Sequence, residues 1–170
     1  MYSSKNQIKY ILYKFTPAIL LFTSILNEID FNNLGLKYFS FNFSYILIFY
    51  YNLKRENGIG LISVFIAGLF NDVLSGIPMG ISSLNFLLLC AAASYLRNIT
   101  LRPSVIKDWV FFLITILFLN FFSYTYLIMI FGYEINYFDQ VINIFFTFLL
   151  YLLFSTLFKF YDIFIIGQSN

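Results

Sequence analysis

Apolar residues in this chain fall into six long runs separated by short polar punctuation: Tyr10–Asn27, Tyr38–Leu53, Ile59–Leu74, Met79–Leu96, Trp109–Phe131 and Val141–Phe160. A helix needs about 20 such residues to cross hydrocarbon, with some latitude for tilt and interfacial aromatics. The pattern therefore predicts an all-α polytopic membrane protein of six transmembrane helices, with residues 1–170 as one integral-membrane domain. Lys14 and Pro17 interrupt the first run. Lys14 sits near the N-terminal end of its helix, where its stem can lie in the apolar layer while the ammonium reaches the headgroups. Pro17 is expected in the first turns, where it is tolerated, and to bend the helix. The segments between runs are short, so no soluble domain, linker or repeat is expected.

Composition strengthens the membrane reading. Of 170 residues, 61% are hydrophobic and 11% charged, against roughly 45–50% and about 25% in a soluble domain. The 24 Phe and 14 Tyr also suit an AT-rich coding sequence, so no aromatic is given a role on composition alone. With no His, and a single Cys (Cys90) inside the run NFLLLCAAASYL, the parts for zinc sites, Cys/His nucleophiles and disulfides are missing. A net charge of +2, scattered along the chain, argues against nucleic-acid binding, and no glycine-rich phosphate loop is present.

The placement of cations sets an orientation, because short cytoplasmic loops accumulate Lys and Arg. With six spans, Lys5, Lys9, Lys14, Lys54, Arg55, Arg97, Arg102, Lys107 and Lys159 fall on one side and only Lys37 on the other. Both termini are thus expected in the cytoplasm. The lysine-flanked first run could also be a secretory signal, but NEIDFNNLG after it is a poor cleavage site. An uncleaved first helix is the reading adopted.

One stretch departs from the apolar background: GLFNDVLSGIPMGISSLNF, Gly68 to Phe86. SGIPMG reads as a tight turn making a hairpin of helices three and four. In it, Gly76 can end one helix in the left-handed conformation, Pro78 suits the first turn of the next, and Gly80 permits close approach. Gly68 and Asp72, four residues apart, share a helix face. Ala91, Ala92, Ala93 and Ser94 offer small residues on helix four for close packing. Asp72 is the one carboxylate inside an apolar run. An intramembrane acid is a functional candidate by default, but Asp72 is near enough to the helix end to cap the N–H groups that begin helix four. Asn71, Ser75, Ser82, Ser83 and Asn85, and Asn120 and Asn143 further along, suit interhelical hydrogen bonding.

Gly68, Leu69, Asp72, Gly76, Pro78 and Gly80 form a G-L-x-x-D-x-x-x-G-x-P-x-G pattern, preceded by an aromatic-rich helix and a polar, basic loop (YILIFYYNLKRENG). This resembles the signature of the rod shape-determining protein MreD family, with Asn71 standing where Leu or a similar apolar residue is usual and Met79 where Leu is frequent. The resemblance implies a fold similar to the substrate-binding subunits of energy-coupling-factor transporters. It also implies a non-catalytic scaffold in the bacterial inner membrane, without cofactor or metal, working in cell elongation and side-wall peptidoglycan synthesis. The partners it implies are MreC, with MreB, RodA and its partner transpeptidase in the wider complex. The alternative that follows from the same fold is a vitamin-type binding subunit, which needs an externally open polar pocket. The outer loops NEIDFNNLGLK, SGIPMG and GYEINYFDQ are short for covering a ligand. An enzyme acting on lipid-linked precursors would want more acids at the loop edges and more outer basic residues than Lys37 supplies.

Overall fold

A computed structural model of the chain describes residues 4–26, 40–56, 58–100, 104–134 and 136–166, with side chains described for 13–26 in the first of these and to 164 in the last. The described residues form six helices: α1 Ser4–Leu26, α2 Phe43–Lys54, α3 Leu61–Ser75, α4 Ile81–Ile99, α5 Val105–Phe131 and α6 Tyr137–Ile166. Two of them, over Val105–Phe131 and Tyr137–Phe164, are long and apolar enough to cross a membrane by themselves.

The helices are arranged as a ring with a centre. α1 packs on α3, α3 on α4, α4 on α5, α5 on α6 and α6 back on α1, while α2 lies inside against α1, α4 and α6. Residue patterning explains which helix is central. In α5 the buried positions Phe112, Thr115, Ile116 and Leu119 recur at spacings of three and four, and Ile114, Phe118 and Phe121 face outward, an apolar helix with one face on protein and the rest on an apolar surrounding. In α2 every residue from Ser44 to Leu53 is buried. The aromatics Phe49, Tyr50 and Tyr51 meet Phe112, Tyr151 and Phe158 from the surrounding helices.

This corrects the second expected span. Tyr38–Leu53 is expected to span the membrane; residues 38 and 39 lie outside the described residues, the helix begins at Phe43, and its 12 residues rise about 18 Å against the roughly 30 Å of a bilayer core. Asn42 caps it, its side chain accepting the Tyr45 N–H at 3.1 Å, and the Asn42 N–H donates to Thr147 Oγ1 at 2.8 Å on α6. Such a non-helical start is tolerated where protein surrounds it. Pro17 likewise differs from expectation: α1 begins at Ser4, so the proline lies in the helix interior.

The helix ends sort by charge. At one end Lys54 pairs with Asp108 (2.7 Å) and Arg55 with Asp162 (2.7 Å), while Arg97 Nη1 donates to the carbonyls of Asn52 (2.8 Å) and Arg55 (2.5 Å), closing the C-terminal end of α2. All six Lys and Arg side chains among the described residues, Lys14, Lys54, Arg55, Arg97, Lys107 and Lys159, lie toward this end. Asp72, Glu134 and Asp139 lie toward the other.

Candidate functional site

The α3–α4 hairpin is built from the residues of the polar stretch, each by a different physical means. Gly68 is where the two helices touch. A Cβ built there would lie 2.4 Å from Ser83 Cα and 2.6 Å from Ser83 N, so any side chain would meet backbone. The small residue opposite Gly68 is therefore Ser83 near the turn. The Ala91–Ser94 run expected to supply it lies further along α4, with only Ala93 fully buried. Ser83 Oγ donates to the Phe65 carbonyl across the same contact at 3.2 Å.

Asp72 stands one turn on from Gly68 and is 0% exposed. Its Oδ2 accepts the Gly80 N–H at 2.7 Å and its Oδ1 the Ser82 N–H at 2.8 Å. Gly80 is the N-cap residue of α4 and has no side chain to offer, so a carboxylate from the preceding helix takes both the Ser82 N–H that a Ser or Asp cap would otherwise serve and the N-cap N–H that a capping-box Glu would. The anion also lies at the positive end of the α4 dipole. The Asp72 carbonyl meanwhile accepts from Gly76 and from Ile77, the latter at 3.1 Å. One residue thus organises both sides of the turn. Asn71 Nδ2 adds a bond to Ser82 Oγ at 2.9 Å.

Gly76 and Gly80 have φ of +64° and +104°, with nothing within 4 Å of an added Cβ at either. Their requirement is backbone conformation; the expectation that Gly80 serves close approach is corrected. Pro78 is in the turn, three residues before Ile81 opens α4, because Gly80 in the left-handed region interrupts helical backbone. Leu69 is half-buried beside Gly68. The turn is held from outside by Tyr133, whose hydroxyl donates to the Gly76 carbonyl at 2.9 Å. Asn85 joins α4 to α5 through paired bonds with Ser123 at 2.7 and 2.9 Å. Asn120 instead donates to the Ile116 carbonyl of its own helix, and Asn143 to Ser40 Oγ at 3.3 Å.

Chemically this arrangement is a brace. Both oxygens of the Asp72 carboxylate are engaged by backbone donors of the chain itself. Gly68 and Asp72 both turn toward α4, and the outward face of the hairpin is apolar, with Ile62, Phe65, Val73, Met79 and Leu84 exposed. No group of three or more metal-ligating side chains occurs among the described residues. Sequence reasoning missed Tyr133, Ser123 and the Arg55–Asp162 pair as fastenings. Their partners lie 57, 38 and 107 positions away in sequence, and no local pattern marks such contacts.

No curated protein sequence and no solved structure matches this chain. A family match covers residues 8–161 and carries the description rod shape-determining protein MreD. That range takes in all of α2–α5 and most of α1 and α6, including the whole hairpin, and on it the chain belongs to the MreD family of rod shape-determining proteins.

Proposed function

We propose that this chain is a non-catalytic scaffold of the cell-elongation machinery in the bacterial inner membrane, holding MreC and, through the wider complex, MreB, RodA and its partner transpeptidase. Family membership makes it a polytopic membrane protein with a role in rod-shape determination; the scaffold and its partners are the finer reading. The observation that carries it is the match over residues 8–161. The state of the motif supports it: Asp72, the one carboxylate within an apolar run, is engaged as a cap. What the hairpin offers outward is an apolar helical surface, the kind on which a partner's membrane helix packs. In this reading the cation-bearing end of the bundle faces the cytoplasm and both termini lie there.

Depletion in the rod-shaped host tests the proposal. Cells are expected to round and widen, with side-wall peptidoglycan insertion dispersed and vitamin uptake unchanged, and tagged MreC is expected to copurify with the chain from membranes. Cells that kept their shape but became auxotrophic would replace the scaffold with a vitamin-binding subunit.

A further inference from the structure

Pro17 lies inside α1, so the carbonyl four residues earlier, that of Tyr13, loses the N–H it would accept in an unbroken helix. A half-buried carbonyl freed in this way is served by another donor where one is within reach. It finds Arg55, whose Nη1 donates to it at 2.8 Å from the C-terminal end of α2. The same guanidinium donates through Nη2 to Asp162 Oδ1 of α6 at 2.7 Å, with the two side chains only 11% and 15% exposed. Its central carbon stands 3.6 Å from the centre of the Tyr13 ring and 4.4 Å from that of Tyr51. One side chain therefore fastens α1, α2 and α6 together.

The fastening sits where α1 meets α6 and closes the ring. Among the described residues the hydroxyls of Thr16 and Tyr161, 3.1 Å apart, also meet there. The fastening is also unsaturated: Arg55 Nε and Tyr51 OH are buried, and neither has a hydrogen-bond partner among the described residues. A polar cluster with orphan groups resists leaving its closed arrangement less than a saturated one. Proline is the usual place for a helix to bend.

We propose that Arg55 is a latch and Pro17 its hinge: the part of α1 before Pro17 is held to α6 by the guanidinium, and release lets it swing out and open the α1–α6 side of the ring. The proposal stands independently of the scaffold role.

Spin labels at Phe15 and Tyr95 test it. Both positions are exposed, at 55% and 61%, and they lie on helices that are not ring neighbours. The labels are placed in the full-length chain carrying Cys90→Ala, in lipid nanodiscs. The parent should give one narrow distance distribution. Arg55→Gln, and separately Asp162→Asn, should roughly double its width and shift it, reporting motion of the α1 arm. Adding Pro17→Ala to Arg55→Gln should restore the narrow distribution, because alanine returns an N–H to the Tyr13 carbonyl. Parent-like distributions in both single variants would overturn the latch. Broadening that persists with Pro17→Ala would overturn the hinge. If Arg55→Gln fails to accumulate in membranes, recovery of its level by Pro17→Ala supports the pairing, and lack of recovery overturns it.

Discussion

At Gly68 the space for a side chain is closed by backbone, which fixes how substitution there must behave. Gly68→Ala would place Cβ within 2.4 Å of Ser83 Cα, so α3 and α4 must separate. Close small-residue packing is a main source of helix association in lipid, and a drop in the thermal unfolding midpoint in detergent is expected. Ser83→Gly should not rescue it, since the atoms struck are Ser83 N and Cα. Gly80→Ala meets no neighbour and should cost only the left-handed backbone penalty of about 1–2 kcal/mol. Asp72 offers a second graded series in the same assay. Asp72→Asn keeps one acceptor oxygen for the Gly80 and Ser82 N–H groups and should lose about 1 kcal/mol, in the range of a weakened cap. Asp72→Leu leaves the buried Ser82 N–H and the half-buried Gly80 N–H unpaired, and about 1–3 kcal/mol is expected to follow for the buried donor and less for the other. Equal effects of the Asn and Leu variants would mean that the charge, and not the hydrogen bonding, is what the site requires.

At the scale of elements, α2 departs most from an ordinary membrane helix. It is buried on all sides, so its aromatics are interior parts, and their substitutions should divide by what each atom touches. Tyr51→Phe removes a hydroxyl that has no hydrogen-bond partner among the described residues while keeping the ring beside Phe158 and under Arg55. It is expected to leave the unfolding midpoint unchanged or to raise it, because an unpaired buried hydroxyl is a cost in the folded state. Phe49→Ala, by contrast, empties the contact with Phe112 and Tyr151 and should cost about 3–5 kcal/mol. The same helix marks the limit of legibility in the sequence. Six apolar runs predicted six helices because hydrophobic length is a local property, and the hairpin turn was legible because Gly76 and Pro78 carry their backbone preferences with them, whereas Gly80 was read for close approach and instead serves a left-handed backbone. That α2 is central was not legible: FSYILIFYYNLK is apolar on every face, and periodicity cannot tell a helix surrounded by protein from one surrounded by lipid. Pro17 was legible as a break, but its place in the helix interior and the cation that answers its free carbonyl depend on where Arg55 is carried by the rest of the fold.

At the scale of the whole molecule, charge asymmetry and architecture meet in a single arrangement. The ends of α2 and α4 and the starts of α3 and α5 gather with Tyr13 and Asp162 around the described cations. The α3–α4 turn lies at the opposite end, tied to the α5–α6 connection by Tyr133. Lys54 and Arg55 are neutralised by Asp108 and Asp162, and Arg97 is spent on carbonyls, so exposed Lys14, Lys107 and Lys159 are left to meet headgroups and solvent. Retention of such residues on the cytoplasmic side is what orients a membrane protein. The orientation can be read by labelling single cysteines with an impermeant maleimide in a Cys90→Ala background, since Cys90 is the only native thiol and is buried in α4. Asn136, exposed just before α6, should react in intact cells, and Thr100, just past the end of α4, only after permeabilisation. The reverse pattern would invert the molecule and place the Arg55 latch outside. Labelling of both sites from outside would break the alternation that sets the two ends of the ring apart.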